Sequence, residues 1–144
     1  MVKTGFQSNA IVFKNDVHEV AQLDAFVRGT CAAVHMEEAT AVNVGLAVEE
    51  AVVNVMRYAY PEGTKGEIRV TASVCDGKLT FQISDDGKPF DPTAAEGPDI
   101  TLSAQQRPIG GLGIFLMRQY MDAMSYKRMN DCNILFLAKN LEKS

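Results

Sequence analysis

Residues Glu67 to Ser84 leave this chain little freedom. Ile68, Val70, Ala72 and Val74 alternate with more polar neighbours, Leu79, Phe81 and Ile83 do the same, and Asp76-Gly77 stands between the two runs. Alternation at a period of two marks strands with one buried face, and an Asp-Gly pair between two such strands marks a two-residue hairpin turn. An antiparallel pair with one apolar face needs a second layer to cover it. The cover lies just upstream, where Val44, Ala47, Val48, Ala51, Val52, Val55, Met56 and Ala59 recur at helical spacing.

That helix carries two residues that do not belong in a plain core helix. Glu50 and Asn54 are four apart in Glu49-Glu50-Ala51-Val52-Val53-Asn54-Val55-Met56-Arg57-Tyr58, so they stand one above the other on the same face. With most of the circumference apolar, two such groups read either as a polar stripe or as the wall of a pocket. Downstream, the strand ending in Ile83-Ser84 stops at Asp85-Asp86-Gly87, which sets a carboxylate at the sheet edge. Further on, Gly110-Gly111-Leu112-Gly113 runs into Ile114-Phe115-Leu116-Met117-Arg118-Gln119-Tyr120-Met121. A glycine loop entering a helix lets backbone N–H groups face phosphate oxygens.

The remaining elements follow from the same patterns. Gly5 to Phe13 reads as an opening strand, Asp16 as a cap, Val17 to about His35 as a helix, and Glu37 to about Tyr60 as the core helix, ended by Pro61-Glu62-Gly63. Lys88 to Ile109, with four prolines, reads as a long loop. Ala123 to Met129 and Asn133 to Ala138 make a last strand pair around Asn130-Asp131. This order predicts one domain over residues 1–144, an α+β two-layer sandwich with a mostly antiparallel, mixed sheet and its helices on one face.

Composition narrows the partners. The net charge of −4 and a pI near 5.1 argue against direct nucleic acid or membrane-surface binding. Cys31, Cys75 and Cys132 are odd in number and far apart, which argues against zinc or disulfides and reads as three inert buried thiols. No run approaches the ~18 uninterrupted apolar residues of a membrane span, so a reducing cytoplasm is expected.

Taken in order, Glu50-Ala51-Val52-Val53-Asn54, Asp85-Asp86-Gly87-Lys88-Pro89-Phe90-Asp91-Pro92 and Gly110-Gly111-Leu112-Gly113-Ile114 resemble the GHKL superfamily of ATPases. Its members include DNA gyrase, the ninety-kilodalton heat-shock chaperones, sensor histidine kinases and mismatch-repair ATPases. The likeness covers nearly the whole chain and is strongest to the stand-alone anti-sigma-factor serine kinases. It implies the Bergerat ATP-binding fold with a lid at 91–109, and ATP and Mg²⁺ as cofactors. Carried over residue by residue, it implies Glu50 as general base, Asn54 on the metal, Asp85 on the adenine amino group, and Gly87, Gly110, Gly111 and Gly113 along the nucleotide. The chain departs from the family at Pro89, where a second glycine is usual and the anti-sigma branch differs, and at Tyr58, where relatives often carry histidine. Arg107 reads as a solvated loop arginine.

The implied activity is ATP-dependent phosphorylation of an anti-anti-sigma (STAS-type) partner by a protein serine kinase that also regulates a sigma factor. The alternative is a nucleotide-gated binding module with little turnover. Relatives of this type commonly form homodimers through the N-terminal strand and helix.

Overall fold

The computed structural model describes residues 8–60, 65–94 and 111–141, apart from the side chains of residues 17, 94 and 111–114. The Pro61-Glu62-Gly63 stop, most of the expected lid, Arg107 and Gly110 lie outside the described residues. Among the described residues five strands, β1 (Ser8–Lys14), β2 (Glu67–Cys75), β3 (Lys78–Asp85), β4 (Ala123–Met129) and β5 (Cys132–Asn140), form one sheet in the order β1-β2-β3-β5-β4. The expectation of a mostly antiparallel, mixed sheet sharpens here, because all four described pairings are antiparallel.

Both hairpins follow from their turn residues. Asp76 (φ 52°) and Gly77 (φ 74°) occupy the left-handed region, as do Asn130 (φ 54°) and Asp131 (φ 62°). Two successive left-handed residues make the turn whose twist matches paired strands, and Asp, Asn and Gly are the residues that adopt it at least cost. The turns fix Cys75 opposite Lys78 and Met129 opposite Cys132. With that register, Ile68, Val70, Ala72, Leu79, Phe81, Ile83, Leu135 and Leu137 all reach the inner face and are at most 2% exposed.

Among the described residues three helices cover that face: α1 (Val20–Ala33), preceded by a 3-10 turn at Val17–Glu19, α2 (Glu38–Tyr58) and α3 (Gly111–Tyr120). Asp16 caps the 3-10 turn, its Oδ1 accepting from His18 N at 2.9 Å. Leu23, Val27 and Cys31 from α1, Val44, Val48 and Val52 from α2 and Met117 from α3 complete one core with the inward strand residues. α2 is long and apolar enough to cross a bilayer by length and composition. Its Ala47, Val48, Ala51 and Val52 lie in the core at no more than 1% exposure, so it serves as the central core helix.

Two details depart from the sequence reading. α3 begins at Gly111, so Gly111 and Gly113 form its first turn rather than a loop ahead of it. The first turn accommodates glycine because its N–H groups are not committed to intrahelical bonds. The cysteines are not uniformly buried either. Cys31 is, but Cys75 is exposed and Cys132 is half-buried, because Cys75 closes β2 and Cys132 opens β5 beside the hairpin turns, one residue out of phase with the inward positions.

Candidate functional site

Asn54 points from α2 into the interior with 3% of its surface exposed, and its Nδ2 has no hydrogen-bond partner. Glu50, one helical turn earlier, is half-buried. Asp85 is the last residue of β3 and, by the pleat, falls on the inner face at 4% exposure. Its Oδ1 accepts from Gly87 N at 2.9 Å and from Asn133 Nδ2 at 2.9 Å, whereas its Oδ2 is buried without a partner. Among the described residues these are the two buried side-chain polar atoms left unsatisfied, one donor and one acceptor. An unfilled buried group costs on the order of 1–3 kcal/mol. Both sit on polar residues singled out by the sequence, Asn54 and Asp85, which makes these two side chains the candidate ligand positions.

Burial pushes the Asp85 carboxyl above the usual Asp range; the hydrogen bonds from Asn133 and Gly87 N and the nearby Arg128 cation oppose the shift, and Asp86 adds to it. The opposing groups form a network that the sequence reading missed. Asn133 Nδ2 also donates to Lys88 O at 2.8 Å, and its Oδ1 accepts from Phe90 N at 3.2 Å and from the Tyr126 hydroxyl. Arg128 Nη1 donates to Gly87 O at 2.7 Å. The signal for Asn133 was present: counting back from Leu137 and Leu135, it is a polar residue at an inward strand position, the same kind of exception as Asn54.

The turn after β3 is tied to the end of α2. Lys88 N donates to Ala59 O at 2.8 Å. A Cβ on Gly87 would stand 2.8 Å from Ala59 Cβ and 2.9 Å from its carbonyl carbon, so this glycine is required by the approach of α2. Tyr60 adds a second tie, its hydroxyl donating to Asp86 Oδ1 at 2.6 Å, lying 3.1 Å from Glu67 O, and accepting from Asp86 N at 3.0 Å. Burial, then the hydrogen bond to Asp86, drives the Tyr60 phenol above its usual range. Tyr58 packs its ring on Phe90 at 5.4 Å. Beyond them, Arg118 of α3 donates to Thr93 O at 2.7 Å, and Asp91 caps Thr93 through its N at 2.8 Å. The ends of α2 and β3, the start of β5 and the 85–94 segment are thereby held together, with α3 reaching that segment through Arg118.

A family model described as the histidine kinase-like ATPase domain matches residues 13–139, nearly the entire described chain. The chain belongs to the histidine kinase-like ATPase family. Within that family it is 33% identical over 95 residues to the serine/threonine-protein kinase BtrW of Bordetella bronchiseptica, covering 66% of this chain and 67% of that one. It is 37% identical over 81 residues to the serine-protein kinase RsbW of Listeria monocytogenes, covering 54% and 52%. Over 82 residues it is 29% identical to the anti-sigma F factor of Clostridium botulinum, covering 57% of each. The aligned part thus spans about half the length of the RsbW relative and two-thirds of BtrW. Its fold is similar to the crystal structure of the RsbU and RsbW domains of a Mycobacterium tuberculosis protein, with a TM-score of 0.67 at 14% identity over 95% of this chain and 33% of that one.

Proposed function

We propose that this histidine kinase-like ATPase domain is an ATP-dependent protein serine kinase of the anti-sigma type, which phosphorylates an anti-anti-sigma (STAS-type) partner and regulates a sigma factor. The observation that carries the reading is the pair of unsatisfied buried atoms. Asp85 Oδ2 is an acceptor suited to a purine amino group, and the Asn54 amide is suited to the phosphate end. Asn54 fits a magnesium role, since a neutral amide oxygen ligates a hard cation whose other ligands are phosphate and water, and an amide can present either end. When bound, the Mg²⁺·ATP would supply the phosphoryl group and neutralise its charge.

The chain's own residues do the rest. Glu50, half-buried one turn from Asn54, takes the proton of the incoming serine hydroxyl as general base. Gly110, Gly111 and Gly113 offer backbone N–H groups at the start of α3 to the phosphates, and Gly87 holds the Asp85 turn against Ala59. Segment 91–109 acts as the lid over the nucleotide, excluding water in favour of the serine. β1, at the sheet edge, offers its outer edge to a second copy. The protein works in the cytoplasm.

The test is transfer of label from γ-³²P-ATP with Mg²⁺ to STAS-domain proteins encoded beside this gene. The intact chain should label one of them on serine; Glu50→Gln should retain ATP and lose labelling. Labelling at the normal rate by Glu50→Gln rejects the base assignment, and magnesium-dependent ATP binding with no labelled protein leaves a nucleotide-gated binding module instead.

A further inference from the structure

The hydrogen bonds around Asp85 are complete on one side and open on the other. Oδ1 accepts two N–H donors, from Gly87 and Asn133, which occupy both of its lone pairs. The Asn133 amide cannot turn over, because its Oδ1 is held by the Tyr126 hydroxyl and Phe90 N and its Nδ2 by a carbonyl, Lys88 O, which only accepts. All four hydrogen-bonding positions of this 3% exposed side chain are therefore used. A proton arriving at Asp85 has one place to go, Oδ2.

We propose that Asn133 is a positioning residue that makes Asp85 Oδ2 an acceptor when the carboxyl is ionised and the O–H donor when it is protonated, so that preference between a 6-amino and a 6-oxo purine follows pH. The inference rests on the nucleotide reading of the site. An ionised Oδ2 accepts strongly from an exocyclic amino group and repels a 6-oxo oxygen, whereas a protonated one donates to the 6-oxo oxygen and is a weaker acceptor for the amino group. The charged and titratable groups around it are Arg128 on β4, which favours ionisation, Asp86 in the same turn, which opposes it, and the Tyr60 phenol at the end of α2. Tyr126 on β4 acts through Asn133. Glu67 and Arg69 flank Ile68, the residue paired with Asp85 on β2.

The experiment is equilibrium binding of ATP and inosine triphosphate, each with Mg²⁺, from mild alkali down to the ordinary Asp pKa. In the wild-type protein the ratio of ATP to inosine triphosphate affinity should fall on acidification. Asn133→Leu, which removes a hydrogen bond to the ionised form, should move the midpoint of that fall upward by about one to two pH units. Tyr126→Phe, which loosens Asn133 without touching Asp85, should move it in the same direction by less. A purely structural role would weaken both nucleotides alike and leave the midpoint where it was; that result overturns the proposal. Should Asn133→Leu not fold, the wild-type ratio and Tyr126→Phe decide, and a flat wild-type ratio also overturns it. A wild-type protein that binds neither nucleotide defeats the ATP site itself, which is a distinguishable outcome.

Discussion

Replacing Asn54 by leucine should make the unliganded protein more stable while removing its response to ATP. The side chain is 3% exposed and Nδ2 has no partner, so the folded protein carries a desolvated amide N–H with nothing in return. Leaving such a donor unsatisfied costs about 1–3 kcal/mol, whereas an apolar group of similar shape in its place carries no such penalty. Leucine is nearly isosteric with asparagine, and Ala51, three residues earlier on the same side of α2, is already buried. Allowing for imperfect packing of the new branch, the net gain should be about 1–2 kcal/mol. For 144 residues the unfolding entropy is roughly 0.3 kcal/mol/K, so Tm should rise by about 3–7 °C.

The assay is thermal unfolding with and without Mg²⁺·ATP. The wild-type Tm should rise with nucleotide by mass action; that of Asn54→Leu should start higher and not move. A leucine variant that unfolds at a lower temperature would show that the amide is satisfied in solution and that the orphaned donor is not a feature of the free protein. One that keeps the full nucleotide shift would remove Asn54 from the site.

Four further outcomes follow from the same geometry. Gly87→Ala should destabilise by about 1–3 kcal/mol, because its Cβ meets the Ala59 backbone; an unchanged urea midpoint would refute the tight approach. Tyr60→Phe removes the hydrogen bonds to Asp86 N and Asp86 Oδ1, and should cost about 1–2 kcal/mol in the same measurement. Because Asp85 is raised by burial, the protonated form is favoured in the folded state: its contribution to stability is fully present below the unfolded Asp pKa of 3.8 and is lost as pH rises through the folded value, so Asp85→Asn should flatten that part of the unliganded stability profile. Finally, maleimide should label exposed Cys75 rapidly and leave Cys31, buried with its thiol pushed up to about 11, unmodified until unfolding.

What could be read from the sequence divides along a physical line. The hairpins were legible because Asp76-Gly77 and Asn130-Asp131 specify left-handed turn geometry locally, and the alternation on either side fixes the register once the turn is set. Asn54 and Asp85 were legible for a related reason: each breaks an apolar period at a position the pattern assigns to the interior. Asn133 obeys the same rule and was still missed, because its meaning depends on what lies across the sheet. Only the β3–β5 pairing puts it opposite Asp85, and β5 pairs with β3 across the 86–110 segment, α3 and β4. Tyr60 and Arg128 were missed for that reason as well, since their partners Asp86 and Gly87 are distant in sequence.

Gly87 has a structural cause that its motif does not state. The motif names it for the nucleotide, but the structure already requires it, because Ala59 leaves no room for a side chain and Lys88 N must reach the Ala59 carbonyl. The same contact joins the end of the helix carrying Asn54 to the turn carrying Asp85. A glycine here therefore couples the two halves of the candidate site through the fold itself. It follows that Gly87→Ala should weaken ATP by separating the amide from the carboxylate, even though the substituted atom lies against α2. A suppressor that restores the space at Ala59, such as Ala59→Gly, should then recover part of the binding along with the stability; recovery of stability alone would mean that Gly87 also meets the nucleotide directly.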